Sequence, residues 1–135
     1  MEINEITGRI ITAALKVHSQ IGPGVLESVY KTCLKHELQK VDLVVQAEVA
    51  LPVFYDGLRL ESGYRIDLLV ENKVIVELKC VDAILPIHKA QLLTYLRLAN
   101  KPFGLLLNFN VVHMRDGGIA RILNNKYRSA AGSNR

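Results

Sequence analysis

The sequence predicts one α+β domain in which helices flank a central mixed β-sheet. The prediction rests on two patterns of apolar residues, one with the period of a helix and one with the period of a strand. Helical spacing appears in three stretches, at residues 6–21, 25–38 and 86–99. Strand-like alternation or a short continuous apolar run marks six others, at residues 44–54, 58–60, 63–70, 74–80, 103–109 and 119–123. The predicted order of elements is therefore ααββββαββ.

Turn residues separate these elements. The sequence Gly22-Pro23-Gly24 ends the first helix, and Asp56-Gly57 marks a turn between strands. Pro86 suits the first position of the third helix, where its missing N–H is not needed. The domain is expected to span residues 1–123. Residues 124–135 have too little apolar content to pack and are predicted to form a disordered tail.

Composition limits the kinds of partner and the cellular compartment that can be expected. Seventeen Lys and Arg against thirteen Asp and Glu give a net charge of +4, which permits a phosphate-bearing partner without requiring one. Cys33 and Cys80 lie far apart without metal-binding spacing, and we find neither a secretory segment nor an apolar run long enough to span a membrane. A cytoplasmic protein with free thiols is expected.

Three charged residues, Asp67, Glu77 and Lys79, stand in the apolar stretch RIDLLVENKVIVELK. If residues 71–73 form a hairpin loop, Asp67 lies directly opposite Glu77, with Cβ atoms about 5 Å apart, and Lys79 follows on the same face. Two carboxylates and one ammonium leave room for a hard cation such as Mg²⁺. The alternative is an ordinary salt bridge on a solvated face. A loop one residue shorter or longer would separate the two acids.

The helix predicted over residues 86–99 carries a polar set, His88, Gln91 and Tyr95. Gln91 and Tyr95 are spaced i and i+4, so they share one face. An amide and a phenol together suit a phosphate or a nucleotide held beside a metal. Alternatively, Tyr95 lies at the edge of the core and His88 is a surface residue at the start of the helix.

The stretch GVLESVY contains Gly24, Glu27 and Tyr30. Glu27 stands at the border of the apolar stripe of the second helix, where an acid normally needs a partner. Alternatively, a carboxylate in the first turn is stabilised by the helix macrodipole alone. His18, near the end of the first helix, is by itself more typical of a packed residue than of a metal ligand.

Taken together, these residues resemble a known family. GVLESVY matches the pattern of the GxxExxY family, and the similarity covers residues 6–121. In the same order along the chain, other positions match the D…ExK and QxxxY elements of RecB-like members of the PD-(D/E)xK nuclease superfamily. Those positions are Asp67, Glu77, Leu78, Lys79, Gln91 and Tyr95. The resemblance implies a restriction-endonuclease-like fold, with an αβββαβ core and here an extra N-terminal helix, a divalent-metal site and a nucleic-acid substrate.

The resemblance also implies a set of metal ligands. Asp67 and Glu77 resemble the carboxylate ligands, and the backbone carbonyl of Leu78 resembles a third oxygen ligand. Histidines ligate the metal in some RecB-like relatives, so His18 is implied as a further ligand. The expected ion is Mg²⁺ or Mn²⁺. No iron–sulfur cluster is expected, because the members that hold one use four cysteines and this chain has two.

The remaining roles concern catalysis and the substrate. Lys79 resembles the residue that orients or activates the attacking water and stabilises charge in the transition state. Glu27 resembles the acid of the first core helix and joins Asp67, Glu77 and Lys79 in the implied catalytic set. On the substrate side, the implied contacts are Gln91, Tyr95 and Tyr30.

The sequence thus predicts a metal-dependent nuclease that hydrolyses phosphodiester bonds, with DNA favoured as the substrate. The alternative is a module that keeps this fold and binds nucleic acid or another protein without cleaving anything. A homodimer would enlarge the small footprint that one domain of this length offers to a duplex.

Overall fold

The computed structural model describes residues 1–127. The helices are α1 (Ile3–Ile21), α2 (Glu27–Lys40) and α3 (Pro86–Ala99). The strands are β1 (Val45–Ala50), β2 (Val53–Tyr55), β3 (Leu58–Leu60), β4 (Arg65–Val70), β5 (Val74–Lys79), β6 (Phe103–Asn108) and β7 (Ile119–Leu123). The predicted α+β class is confirmed.

The predicted single strand over residues 44–54 is wrong at Pro52, where the chain divides into β1 and β2. Proline has no N–H to donate to a strand ladder. Just before it, the N–H of Leu51 bonds to the carbonyl of Tyr64 at 3.0 Å. As a result β1 joins the central sheet, whereas β2 pairs with β3 in a separate two-stranded sheet. The observed order is ααβββββαββ.

The central sheet has five strands in the order β1-β4-β5-β6-β7. Strands β5 and β6 are parallel, and α3 connects them, whereas the other neighbours are antiparallel. Side chains alternate between the two faces of the sheet. Those of Leu68 and Val76 join the core formed with α1 and α2, and those of Leu69 and Ile75 join the core formed with α3. The sheet is therefore covered by helices on both faces.

Packing continues past β7. Asn124 is buried, and its side-chain N–H groups donate to the carbonyls of Leu96 at 3.4 Å and Lys101 at 3.0 Å. The packed chain therefore reaches beyond the predicted boundary at residue 123. Residues 128–135 of the predicted tail lie outside the described residues.

Two further expectations concern the thiols and the membrane. Cys33 and Cys80 are free and half-buried. Among the described residues, no helix combines the length and the apolar character needed to cross a bilayer.

The turn between α1 and α2 depends on two glycines and a buried tyrosine. Gly22 has φ 77° and Gly24 has φ 92°, a region that glycine adopts at little cost. Tyr30 is fully buried, and its ring stacks on that of Phe109 with centroids 4.5 Å apart. Its hydroxyl donates to the carbonyl of Gly22 at 2.5 Å and accepts from the N–H of Val25 at 3.3 Å. Tyr30 thereby fixes the point at which α2 begins.

We expect Tyr30→Phe to lower the free energy of unfolding by about 1–3 kcal/mol, because two backbone groups lose a partner while the ring stack is kept. Urea unfolding followed by circular dichroism measures the change. Tyr55→Phe is the matched control, since Tyr55 is 72% exposed and its loss of a hydroxyl should change stability by less than about 0.5 kcal/mol. Equal effects for the two variants would contradict the bracing role of Tyr30.

A candidate active site at the end of the β4–β5 hairpin

The β4–β5 hairpin has the predicted loop and register. Its paired residues are Leu68 with Val76, Leu69 with Ile75, and Val70 with Val74. Residues 71–73 form the loop, and Glu71 and Asn72 adopt positive φ there. The ladder ends at Leu68 and Val76, and Asp67 and Glu77 are the next residues of the two strands. Ile66 and Leu69 pack in the core formed with α3, whereas Leu68 packs in the opposite core, so the alternation of β4 is interrupted around Asp67. That the two acids share one face of the sheet stays a prediction.

Asp67 and Glu77 each accept a hydrogen bond from the backbone of the opposite strand. The Oε1 atom of Glu77 accepts from the N–H of Asp67 at 3.0 Å, and Oδ2 of Asp67 accepts from the N–H of Leu78 at 2.9 Å. These reciprocal bonds occupy the end of the hairpin where the regular ladder stops. The backbone thus fixes the direction of both carboxylates and keeps them side by side.

The surroundings of Glu77 disfavour its ionised form. Glu77 is only 8% exposed. Burial, and after it the charge of Asp67, raise the pKa of Glu77 to about 8, and the positive charge of Lys79 acts in the opposite direction. Glu77 therefore keeps its proton at neutral pH when no cation is bound. A bound cation would favour the ionised form of Glu77 and offset the cost of its burial.

Lys79 and Glu27 complete the predicted set of charges. Lys79 lies two residues after Glu77 on the same face of β5, half-buried and in register with Asn108 of β6. Glu27 is the first residue of α2, as the macrodipole interpretation also requires. Partial burial, and then the charge of Asp67, raise the pKa of Glu27, whereas Lys79 opposes them. Glu27 therefore belongs electrostatically to the hairpin site.

Sequence reasoning missed Lys31, which stands one helical turn after Glu27 on α2. Its ammonium contacts Oε1 of Glu48 on β1 and lies 3.8 Å from Oδ1 of Asp67. The available signal was the spacing of i and i+4 from Glu27, which puts both residues on one face of α2. Lys31 brings a second cation to the acidic pair.

Asn108 lies within the span of the resemblance, residues 6–121, but the sequence analysis gives it no role. It is fully buried at the end of β6, and its Nδ2 donates to the carbonyl of Val81 at 2.9 Å. Its Oδ1 accepts from the N–H groups of Val81 and Asn110, each at 3.2 Å. The signal was a polar side chain ending the apolar run FGLLLN. Asn108 fixes the chain that follows Lys79.

Gln91 and Tyr95 are hydrogen-bonded to each other on α3, where Gln91 is exposed and Tyr95 is buried at the edge of the core, as the alternative interpretation of Tyr95 expects. Nε2 of Gln91 donates to the hydroxyl of Tyr95 at 3.2 Å. Burial, and after it the charge of Glu77, raise the pKa of Tyr95. The ring of Tyr64 lies 5.8 Å from that of Tyr95. His88, by contrast, accepts from the N–H of Leu85 at 2.9 Å, a contact at the start of the helix.

Two predicted site residues serve the core instead. Nε2 of His18 donates to the carbonyl of Val111 at 2.7 Å, and its ring lies 6.3 Å from that of Phe109. Tyr30 is fully buried, and its hydroxyl is already bonded at the turn before α2. The polar atoms of both side chains are therefore engaged in contacts within the fold.

The donor atoms at the hairpin suit a magnesium-like ion. Asp67, Glu77 and the backbone carbonyl of Leu78 offer oxygen atoms alone, the ligands that Mg²⁺ prefers. Within residues 1–127, no three His, Cys, Asp or Glu side chains are grouped in a way that could hold a metal. Two carboxylates fit an ion that keeps several waters or phosphate oxygens, and they do not fit a closed structural site of nitrogen and sulfur ligands.

A family model matches most of the chain. The model, described as the PD-(D/E)XK nuclease superfamily, matches residues 4–122. The chain belongs to this superfamily. The mixed five-stranded sheet between helices is consistent with the restriction-endonuclease-like fold of PD-(D/E)XK proteins. No curated protein and no solved structure matches the chain. Membership suggests metal-dependent nuclease activity on a nucleic acid, and such nucleases generally use divalent metals such as Mg²⁺.

The raised pKa of Glu77 predicts how the stability of the metal-free protein depends on pH. The folded protein holds this proton up to about pH 8, whereas the unfolded chain releases it near the ordinary value of 4.5. The free energy of unfolding should therefore fall as pH rises between these values, by at most about 1.4 kcal/mol per pH unit. Glu77→Gln cannot ionise, so this loss should disappear in that variant.

Urea unfolding in EDTA at several pH values between 5 and 8 tests this expectation. The wild type and Glu77→Gln should diverge as pH rises, with the variant the more stable at the alkaline end. Glu2→Gln, at an exposed position before α1, is the matched control and should follow the wild type. Parallel profiles for the wild type and Glu77→Gln would contradict the uncompensated burial of this acid.

Proposed function

We propose that the protein is a divalent-metal-dependent nuclease that hydrolyses phosphodiester bonds, with DNA as the favoured substrate. The observation that carries the proposal is the pair of half-buried Asp67 and buried Glu77, held side by side by backbone hydrogen bonds, with Lys79 two residues after Glu77. A protein that merely bound nucleic acid would need no two acids in this register, because they repel phosphate. Membership of the superfamily supports hydrolysis of phosphodiester bonds as the reaction. The pair of acids supports the end of the β4–β5 hairpin as the place where it occurs.

Asp67, Glu77 and the carbonyl of Leu78 would hold Mg²⁺ or Mn²⁺. When bound, the ion would offset the charge of the phosphate and lower the pKa of the attacking water. The chain's own task is to present oxygen ligands in fixed directions, which the two backbone hydrogen bonds accomplish. Glu77 must be ionised to act as a ligand, so metal binding at neutral pH is accompanied by release of its proton.

Lys79 is the proposed catalytic cation. Its ammonium would hold the attacking water by a hydrogen bond and offset the negative charge that develops on the phosphate oxygens. Glu27 faces the same field from the start of α2 and is proposed to accept a hydrogen bond or a proton from water. Asn108 positions the segment after Lys79 and touches no substrate.

Gln91 and Tyr95 are the proposed substrate contacts. The hydrogen bond between them orients the amide and the phenol together on the face of α3 toward the acidic pair. An amide can donate and accept, and a phenol can also stack, so this face suits a phosphate, a sugar or a base.

The GxxExxY family and the RecB-like branch are the proposed placement within the superfamily. The structure gives physical reasons for the residue types in that pattern. Gly24 has positive φ, Glu27 begins α2, and the hydroxyl of Tyr30 braces the turn. The QxxxY element on α3 contributes the polar face beside the acids. A homodimer and a cytoplasmic location stay predictions.

One observation favours the alternative of a binding module without catalysis. With its pKa near 8, Glu77 keeps its proton at neutral pH in the absence of metal, and the described residues group no three metal-ligating side chains. A site of this kind would bind metal weakly. A module of this class would retain nucleic acid in EDTA and cleave no substrate with any metal.

Cleavage of single-stranded, duplex and branched oligonucleotides with Mg²⁺, Mn²⁺ or EDTA distinguishes the two functions. The nuclease predicts products on at least one substrate with metal and none in EDTA. Wild-type protein that binds metal yet cuts none of these substrates would support the binding module.

Lys79→Met should lower the rate of metal-dependent cleavage by about 100-fold or more while metal affinity and folding are kept, because the charge is lost and most of the stem remains. Asp67→Asn should lose both metal affinity and rate, since an amide is a poorer ligand for a hard cation. Cleavage is measured on gels, and metal binding by titration calorimetry.

Lys89→Met is the matched control, because Lys89 is exposed on α3. It should cleave at the wild-type rate. Undiminished cleavage by Lys79→Met would remove Lys79 from the catalytic role.

A further inference from the structure

Lys31 occupies a position between two acids on different strands. Its ammonium contacts Oε1 of Glu48 on β1 and lies 3.8 Å from Oδ1 of Asp67 on β4. The side chain of Asp67 is 14% exposed, and that of Glu48 is 48% exposed. Lys31 thus spans from an acid in the proposed metal site to an acid near the solvent.

This position conflicts with a cation bound to Asp67. An ammonium that stays within a few ångströms of a divalent ion repels it strongly, more so where the surroundings are partly desolvated. The side chain of Lys31 has four rotatable methylenes, so its ammonium can move away while its stem stays packed. Glu48 already contacts the ammonium and offers it a partner on the solvent side.

We propose that Lys31 is a resident counter-ion of Asp67 that yields to the metal by moving fully onto Glu48. In the metal-free protein, Lys31 supplies part of the positive charge that the acidic pair lacks. When the metal binds, Glu48 retains the displaced ammonium and lessens its repulsion. Lys31 and Glu48 are thus positioning residues that set the affinity of the site for metal, and this inference rests on the metal site of the proposed function.

The proposal makes the effects of the two residues interdependent. Removal of the ammonium should strengthen metal binding, and removal of Glu48 should weaken it, because Lys31 then has Asp67 as its remaining acidic contact. Once Lys31 is absent, the loss of Glu48 should matter little. Two charges that acted only through space would instead give effects that add.

The test is a double-mutant cycle on Mn²⁺ affinity, measured by titration calorimetry at fixed pH and ionic strength. We expect Lys31→Met to bind Mn²⁺ about tenfold more tightly than the wild type, and Glu48→Gln about tenfold more weakly. In the Lys31→Met background, Glu48→Gln should change the affinity less than about threefold. Lys35→Met, one turn further along α2, is the matched control and should change it less than about twofold.

A second readout needs no metal. In EDTA, Lys31→Met should unfold at a lower urea concentration than the wild type, because Asp67 loses its counter-ion, whereas Lys31→Arg should restore the midpoint. If Lys31→Met unfolded at the wild-type midpoint, Lys31 would not be the counter-ion of Asp67.

The outcomes separate this inference from the proposed function. Additive effects in the cycle, with Mn²⁺ bound by the wild type, overturn the displacement of Lys31 and leave the nuclease proposal standing. A wild type that binds no Mn²⁺ overturns both. Tighter binding by Lys31→Met together with a cycle that is not additive supports the displacement.

Discussion

The antiparallel pairing of β4 with β5 is the constraint on which the candidate site depends. Its register puts Asp67 and Glu77 beside the last ladder pair, and the N–H groups of Asp67 and Leu78 then bond to the carboxylates of the opposite strand. The neighbouring strand and helices surround these two acids. Parallel β6 holds β5 from the other side, and α2 and α3 bring polar side chains to the same end of the hairpin. The chemistry of the site is thus a product of strand geometry.

The acidic pair weakens the fold that carries it. A carboxylate at 8% exposure beside another acid disfavours the folded, ionised state. The fold tolerates this because apolar layers on both faces of the sheet supply its stability. Conflict between local electrostatics and global packing is expected where a sequence has been selected for chemistry.

The sequence predicted what periodicity and parity determine. The helices, the length of the hairpin loop and the closeness of Asp67 and Glu77 all follow from local spacing. The break at Pro52 was missed because alternation continues through it in the sequence, and only the strand ladder requires an N–H there. Lys31 was missed because its partners lie on β1 and β4, and contacts between distant elements leave no regular spacing in the chain.

The buried tyrosine of GVLESVY shows a different limit. A tyrosine near a predicted site invites a role with the substrate, yet Tyr30 is used inside the molecule, with its ring on Phe109 and its hydroxyl at the turn. Spacing along a helix shows which side chains share a face. It does not show whether that face meets the solvent or the core.

The loop at residues 71–73 has a consequence for how this chain can diverge. A substitution there alters one exposed or half-buried side chain, with residues that accept positive φ favoured at the first two positions. Insertion or deletion of one residue would instead invert the alternation of β5. Glu77 would then turn toward the core formed with α1 and α2, and Val76 would turn toward the face that Glu77 now occupies. The number of residues in this loop is therefore constrained more strictly than their identity. Insertions and deletions are expected in other loops of the chain.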